Sequence, residues 1–269
     1  MTCFEDMVEA GLTDKVPSVR GQWARCANFT PSHAQVERGL KDRSIHVRRE
    51  WAWRMDWVPT PAQVEMGLTD PDPDVRRTWA ERTDFIATYK QVLRGLEDPF
   101  WYVRHAYARR GDWTPDEKQV ELLLNDADPD VREIFVLRED WTPTRDQMNR
   151  GLMDRMSRLR SAWAGRQDTS PSAEQFEAGL LDESIGVRIA FAGRSDFTPT
   201  HAQITRGLMD DDFEVRAAWI SRLDVPLSHE RLDEYISGDS HVLRTAALSR
   251  IARGVVAELE ASEDASQSL

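Results

Sequence analysis

Histidines, cysteines and glycine-rich motifs are the first features to examine for chemistry in this 269-residue chain. Its six histidines show no spacing that would gather them around a metal ion. Cys3 and Cys26 are its two cysteines, too few for a disulfide framework or a cysteine-rich metal site. The sequence also lacks a phosphate-binding glycine loop, a Gly-x-Ser-x-Gly motif and a dinucleotide fingerprint. We therefore expect no catalytic residues, no metal site and no cofactor in a protein that is not an enzyme.

Charged residues follow a different rule, because they recur at a fixed interval. The Gly-Leu pair of Gly67-Leu68 returns every 28 residues, with Leu123-Leu124 in one of its places. An arginine recurs with the same interval at Arg20, Arg48, Arg76, Arg104, Arg132, Arg160, Arg188, Arg216 and Arg244. A fixed period of this size marks a solenoid, in which each unit is too small to bury a core alone. The sequence predicts nine 28-residue repeats, numbered 1 to 9 below, that form a single domain over residues 1–252.

The first half of each repeat has the pattern of a short helix, called helix A. Repeats typically open with an aromatic residue and Thr-Pro, as in Phe29-Thr30-Pro31. Thr as N-cap and Pro at the first helical position predict a helix start there. Val36 and Leu40, four residues apart, give this helix an apolar face. Gly39 lies inside the helix despite a propensity cost of about 1 kcal/mol, so we infer that a second helix crosses at the glycine.

The second half of each repeat predicts helix B. Ser44 and Asp72 occupy the position of a helix cap, and Pro73 follows at the first helical position. Val47 and the aromatic residue Trp51, again four residues apart, supply the apolar face. Two helices of about 10 and 12 residues with short turns fill the period. No strand pattern competes, so the predicted fold class is all-α.

An apolar helix, a turn with Asp, and Asp-Pro-x-Val-Arg opening a second helix resemble the HEAT-like repeat family. Residues 70–84, DPDPDVRRTWAERTD, and 126–140, DADPDVREIFVLRED, carry the resemblance best. Typical HEAT units are longer, so these resemble a short-period variant. The resemblance covers 1–252 and implies an α-solenoid, a superhelix of nine two-helix HEAT-like repeats. Metal-binding hydroxylases built from such repeats use several His-Glu pairs, whereas this chain has one, His229-Glu230.

Two arginine columns and two aspartate columns follow from the period. Arg48 and Arg54 represent the arginine columns, and Asp42 and Asp56 represent the aspartate columns. One interpretation is a row of arginines that bind phosphate. The other, which we favour, is bidentate pairing between arginine and aspartate across the repeats. The aromatic residue of helix B is similarly interpreted as core.

The net charge of −12 argues against broad affinity for nucleic acid. Repeats 2, 4 and 6 are net positive and repeats 3, 5 and 7 are net negative. This alternation indicates either attraction between neighbouring repeats or a striped surface matched to a partner. Without an apolar run long enough to span a membrane, or the features of a signal peptide, we expect a cytoplasmic monomer. Residues 253–269 are acidic and Ser-rich, which predicts a disordered tail.

Departures from the repeat are the best guide to function, because recurring residues build the scaffold. The largest departure is Phe100-Trp101-Tyr102, where other repeats have a cap and a polar first turn. Exposed aromatic residues can anchor a partner, although they can also fold back over the next repeat. Trp53 is a second departure. The third is an arginine in alternate helices A, which is either a face for an acidic ligand or solvated: Arg38, Arg94, Arg150 and Arg206.

These features predict a non-enzymatic scaffold that holds a protein or peptide on a curved helical-repeat array. One alternative is a nucleic-acid binder, by resemblance to the HEAT-like alkylpurine DNA glycosylases, which use a basic concave groove. A second alternative is an acidic mimic of DNA that occupies a DNA-binding protein. The charge balance disfavours the first alternative, and expected Arg–Asp pairing disfavours the second. We expect no contact with a membrane or nucleic acid.

Overall fold

The chain folds as an α-solenoid of two-helix repeats. The computed structural model describes the backbone of residues 4–267 and the side chains of residues 4–254. Every regular element in this described range is an α-helix, which confirms the predicted fold class. Helices A are α1 (Phe4–Leu12), α3 (His33–Leu40), α5 (Pro61–Leu68), α7 (Tyr89–Leu96), α9 (Glu117–Leu124), α11 (Arg145–Leu152), α13 (Ala173–Leu180), α15 (His201–Leu208) and α17 (His229–Ser237). Helices B are α2 (Pro17–Arg25), α4 (Ile45–Trp53), α6 (Pro73–Ala80), α8 (Trp101–Arg109), α10 (Pro129–Val136), α12 (Ser157–Gly165), α14 (Ile185–Ala192), α16 (Phe213–Ser221) and α18 (His241–Gln267).

The solenoid divides into two compact units, Met1–Trp141 and Thr142–Leu269. The boundary falls at the first residue of repeat 6, so no helix pair is broken. Within each unit, helix A packs on helix B of its own repeat, and helix B packs on helix B of the next. In the first unit the helices B pack on one another more extensively than the helices A do. The sequence predicts one domain over 1–252, and this remains a prediction.

The start of helix A differs from the sequence prediction. Helix α3 begins at His33 with Ser32 as its N-cap, two residues beyond the predicted Thr30-Pro31 start. Ser32 Oγ accepts from the backbone N–H of Gln35, and the Gln35 side chain accepts from the Ser32 N–H. This capping box satisfies two groups that a helix end leaves unpaired, so it outweighs Thr-Pro. Helix α3 consequently has 8 residues, fewer than predicted. Helix α4 has 9 residues and is also shorter than predicted.

The start of helix B is as predicted. Asp72 is the N-cap of α6 and accepts from the backbone N–H groups of Asp74 and Val75. Pro73 fills the first helical position, where a missing N–H costs nothing. Ser44 occupies the same cap position in α4 without a side-chain cap bond. The turn before the cap is held by Asp70, whose Oδ1 accepts from the Asp72 N–H at 2.9 Å.

The recurring glycine of helix A lies under the aromatic ring of helix B in the same repeat. A Cβ atom added at Gly67 would come closer than 3.0 Å to the ring of Trp79, which is fully buried. Gly179 has the same relation to Phe191. This confirms the predicted close crossing of the two helices. Glycine is needed there because the ring occupies the volume of a side chain.

Repeat 5 replaces this glycine with Leu123 and solves the packing differently. Leu123 and Phe135 are both fully buried. The ring of Phe135 stacks on Trp141 with centroids 4.8 Å apart and planes 13° apart. Repeat 5 therefore keeps an aromatic residue in the core, because Phe135 packs on the tryptophan that opens repeat 6.

The first arginine column pairs with aspartate in the next repeat. Arg48 donates from Nε and Nη2 to Asp70 at 2.7 and 2.8 Å, and from Nη1 to the Asp42 carbonyl at 2.9 Å. The same bidentate pairing joins Arg20 to Asp42 and Arg76 to Asp98. The predicted inter-repeat pairing is thus observed for six arginines of this column: Arg20, Arg48, Arg76, Arg104, Arg160 and Arg188. Arg244 donates to backbone carbonyls instead. Such pairs fix the register of one repeat on the next because their geometry is planar and directional.

Most arginines of the second column are buried, and they donate to backbone carbonyls of the preceding repeat and to the carbonyl that opens their own repeat. Arg194 is fully buried and donates to the carbonyls of Ala164, Arg166 and Thr169 at 2.6–2.8 Å. Its Nε and Nη2 donate to Asp196 in its own repeat at 2.8 and 2.7 Å. Hydrogen bonds from Arg194 hold the pKa of Asp196 below its ordinary value. These donors are fully used, so Arg194 offers none to a phosphate.

The end of the chain was predicted to be a disordered tail over 253–269. Helix α18 continues to Gln267. The side chains of residues 255–269 lie outside the described part of the structure, and disorder of the tail remains a prediction.

Candidate partner-binding surface

Three aromatic side chains open helix α8 in repeat 4. The rings of Phe100 and Tyr102 are 5.6 Å apart, and those of Trp101 and Tyr102 are 5.8 Å apart. His105, one helical turn further, lies edge-on to Trp101 at 6.3 Å. We call these four residues the α8 aromatic cluster. Phe100 and Trp101 each keep 42% of their surface exposed, so the rings pack on one another while facing solvent.

The α8 aromatic cluster supplies no side-chain cap to its helix. Phe100 occupies the N-cap of α8 and makes no side-chain cap bond, whereas Asp72 and Asp128 cap α6 and α10. The lost cap costs about 1 kcal/mol. The turn itself is retained, because the Phe100 N–H still donates to Asp98 Oδ1 at 3.0 Å. Repeat 4 therefore exposes large rings at a cost in helix stability.

The surroundings of the α8 aromatic cluster are acidic. Burial, followed by the charges of Asp74 and Asp72, raises the pKa of Tyr102. Its phenol therefore stays protonated at neutral pH. Arg76 lies 5.8 Å from the Phe100 ring, but its guanidinium is bonded to Asp98. A partner with a cation beside an apolar side chain would fit this surface, because the cation could contact the carboxylates and the ring faces, and the apolar side chain could pack on the rings.

Trp53 lies at the end of α4, on the same layer of B helices. Its side chain is 62% exposed. It lines an open groove of about 780 Å³, together with Met55 and three arginines from successive B helices. The arginines are Arg25, Arg49 and Arg77. We call this space the Trp53 groove.

The alternating arginines of the A helices are placed elsewhere and have partners. Arg38 forms an ion pair with Glu9 at 2.8 Å, and Arg94 and Arg206 pair in the same way with Glu65 and Glu177. Each glutamate lies 29 residues earlier, in the preceding repeat. Arg150 also makes an interaction. The charge alternation between repeats therefore includes attraction across repeat boundaries. In the first unit, Arg38 and Arg94 lie on A helices, whereas Trp53 and the α8 aromatic cluster belong to B helices.

Comparison with known proteins bears on the fold. No family model matches the sequence, and no curated protein matches it. A solved structure described as a leucine-rich repeat variant with a novel repetitive protein structural motif superposes with a TM-score of 0.53 at 23% identity. The match covers 87% of this chain and 82% of that one. This chain is a helical repeat protein.

Sequence reasoning on this helical repeat protein missed the residues around Trp53. The available signal was one arginine in each of three consecutive helices B: Arg25, Arg49 and Arg77. Arg49 and Arg77 occupy the same position of the repeat, and Arg25 lies four positions later. Positions four apart share one helix face. The three arginines were therefore assignable to one face, but not to one groove.

Two structural features are absent from the described residues of the helical repeat protein, a membrane-spanning helix and a cluster of metal-binding side chains. None of the described helices combines the length and apolar character needed to cross a bilayer. In the same part of the chain, no group of three or more His, Cys, Asp or Glu side chains is arranged to hold a metal ion.

Proposed function

We propose that this protein is a non-enzymatic, cytoplasmic scaffold that holds a protein or peptide partner, and that its repeats are a short-period HEAT-like variant. The observation that carries the proposal is the α8 aromatic cluster. Phe100 and Trp101 are exposed where a capping residue and a polar first turn stand in neighbouring repeats. Large aromatic residues of this kind dominate the energetics of protein interfaces.

The recurring residues support the scaffold, because each has a structural task. The glycines admit an aromatic ring, and the buried arginines bind carbonyl groups of the preceding repeat. The columns represented by Arg48 pair with aspartate. Function is therefore best sought at positions that break the period.

The nucleic-acid alternative rests on the resemblance to HEAT-like alkylpurine DNA glycosylases, and the residues that favour it are Arg38, Arg94 and Arg150 with Trp101. Arg38 and Arg94 are paired with glutamates on the A helices, whereas Trp101 opens a B helix. The net charge of −12 adds a repulsive contribution toward phosphate backbones.

The experiment compares capture of partners by three immobilised proteins: the wild type, Trp101→Ala/Tyr102→Ala and Ile86→Ala. Ile86 is the matched control, because it belongs to repeat 4 and is 79% exposed but lies outside the cluster. We expect a protein that the wild type and Ile86→Ala retain to be lost from the double variant. Circular dichroism must show the same helix content in all three.

Equal capture by all three proteins would remove the α8 aromatic cluster from the binding surface. The same immobilised wild type is then offered a DNA duplex at about 150 mM salt, where non-specific phosphate binding is weakened. Retention of the duplex would favour the nucleic-acid alternative over the scaffold.

A further inference from the structure

Grooves like the Trp53 groove form at other places where one helix B ends beside the next. Within the first unit, repeats 3 and 4 enclose a similar space lined by Glu81, Phe85, His105 and Arg109. In the second unit, repeats 7 and 8 enclose one lined by Gly193, Ser221 and other residues at the same positions of the period. The groove is thus a product of the repeat. What distinguishes the Trp53 groove is its lining.

The Trp53 groove carries excess positive charge in an otherwise acidic protein. Its lining includes the arginines Arg25, Arg49, Arg54 and Arg77 and the carboxylates Glu50 and Asp56. Glu50 accepts two hydrogen bonds from Arg25 at 2.9 and 2.7 Å, and Asp56 is held by Arg54. Both carboxylates are therefore neutralised locally. The remaining two cations are Arg49 and Arg77.

These two arginines have donors to spare. Arg49 has no hydrogen-bond or ion-pair partner among the described residues. The Nε atom of Arg77 is buried and makes no hydrogen bond, although it lies 3.4 Å from Glu81. The Arg77 side chain is nevertheless 43% exposed, so a ligand in the groove can reach its solvent-facing part. Anionic oxygens would supply the missing acceptors.

An apolar surface adjoins these arginines. Trp53 is 62% exposed and Met55 is 52% exposed, and both line the groove. Tryptophan and methionine are both favourable contacts for apolar side chains. Most other repeats place a polar or small residue at the position of Trp53, for example Glu81 and Gly165.

We propose that the Trp53 groove binds an acidic peptide segment, whose carboxylates pair with Arg49 and Arg77 and whose neighbouring apolar side chain packs on Trp53. Guanidinium groups pair with carboxylates through two parallel hydrogen bonds. The volume of about 780 Å³ accommodates a few residues of such a segment. This site specifies the chemistry of one partner segment, and it is independent of the α8 aromatic cluster.

A peptide fits the groove better than a nucleic acid does. The positive charge is local and comes from Arg49, which has no partner among the described residues, and Arg77, which Glu81 approaches at 3.4 Å, whereas the whole chain carries −12. A polyanion would extend beyond the groove and meet that net charge, while a segment with a few carboxylates would not.

The probe is a short fluorescein-labelled peptide in which Glu residues flank a central Leu-Phe pair, followed by fluorescence anisotropy. Arg49→Gln removes an arginine with no structural partner, so the variant should fold. Arg43→Gln is its matched control, because Arg43 is an exposed residue of the same repeat and does not line the groove. We expect binding to weaken about tenfold in Arg49→Gln and in Trp53→Ala, and to change less than about twofold in Arg43→Gln.

Three results would overturn the proposal. The first is equal weakening of peptide binding in Arg43→Gln and Arg49→Gln, which would indicate an effect of net charge alone. The second is equal affinity for a peptide with Gln in place of Glu. The third is binding of an oligothymidylate that is tighter than binding of the peptide and depends on Trp53. Inorganic phosphate should compete weakly, because it lacks the apolar side chain that contacts Trp53. Loss of the probe in Arg49→Gln alongside unchanged capture by Trp101→Ala/Tyr102→Ala would support this groove while contradicting the α8 anchor.

Discussion

Replacing the glycine at the crossing of two helices tests the packing that most repeats share. In Gly67→Ala, the new Cβ would come closer than 3.0 Å to three atoms of the Trp79 ring. The ring is fully buried, so it can move only by displacing its neighbours. Overpacking of this kind costs about 1–3 kcal/mol, and we place this site near the upper end because the overlap is with a rigid ring. Alanine returns about 1 kcal/mol of helix propensity, so we expect a net loss of about 2 kcal/mol in the free energy of unfolding.

The assay is urea unfolding followed by far-UV circular dichroism, with Gly165→Ala as control. Gly165 ends helix α12, and a Cβ there would meet no atom within 4 Å. At a slope of about 2 kcal/mol per molar urea, Gly67→Ala should lower the midpoint by about 1 M. Gly165→Ala should leave the midpoint unchanged or raise it slightly. If the two variants unfold at the same urea concentration, the argument from the crossing is wrong.

A rescue experiment separates steric overlap from other effects. Repeat 5 tolerates Leu123 because Phe135 stacks on Trp141. The variant Gly67→Leu/Trp79→Phe/Phe85→Trp copies that arrangement into repeat 3. It should be more stable than Gly67→Leu alone, and failure to recover would show that the arrangement depends on other residues of repeat 5.

Three further predictions concern the polar scaffold. Arg194→Lys should lower the free energy of unfolding in urea by about 3 kcal/mol, because lysine cannot bind three carbonyls and Asp196 together. Arg38→Lys, at a half-exposed ion pair, should lower it by less than about 1 kcal/mol. Similar losses in the two variants would refute this reasoning. Thr60→Ala, which removes the capping box of α5, should cost about 1 kcal/mol, and an unchanged urea midpoint would contradict the revised helix start. Hydrogen bonds from Arg54 and Arg194 depress the pKa values of Asp56 and Asp196 in the folded protein. The stability that these two carboxylates contribute to the fold is therefore complete above their unfolded pKa of about 3.9, and it is lost as the pH falls through their folded pKa values. Thermal melting should therefore change little between about pH 5 and 7 and fall steeply below about pH 4; a melting temperature that holds at low pH would contradict the pairing.

Much of the fold could be predicted because its determinants are local or repeat at a fixed separation. Each recurring residue type appears between seven and nine times, so Gly67, Trp79 and Arg76 define their roles by recurrence. The start of helix A was misplaced because Thr30-Pro31 resembles a cap and first turn. The capping box of Ser32 and Gln35 was present in the sequence and gave the better signal.

The candidate site was predictable in part. Phe100, Trp101, Tyr102 and Trp53 stand out as breaks in the period, and the structure exposes Phe100, Trp101 and Trp53. The pairing of Arg38 also has a signal in the sequence, because the alternating arginines of the A helices each follow a glutamate by 29 residues, as Arg38 follows Glu9. Only the stacking of the repeats shows that the two side chains meet.

The sequence by itself therefore determined the period, the all-helical class, the close crossing at glycine and the pairing of the Arg48 column. Those features depend on interactions that every repeat shares. Tertiary structure alone decided which charges are satisfied and which remain available. Arg49 and Arg77 have the same residue type as Arg48 and Arg76, but the stacking of neighbouring helices gives the latter pair aspartate partners and leaves the former beside Trp53. Exposure and pairing depend on what the adjacent repeat covers, and no single repeat contains that information.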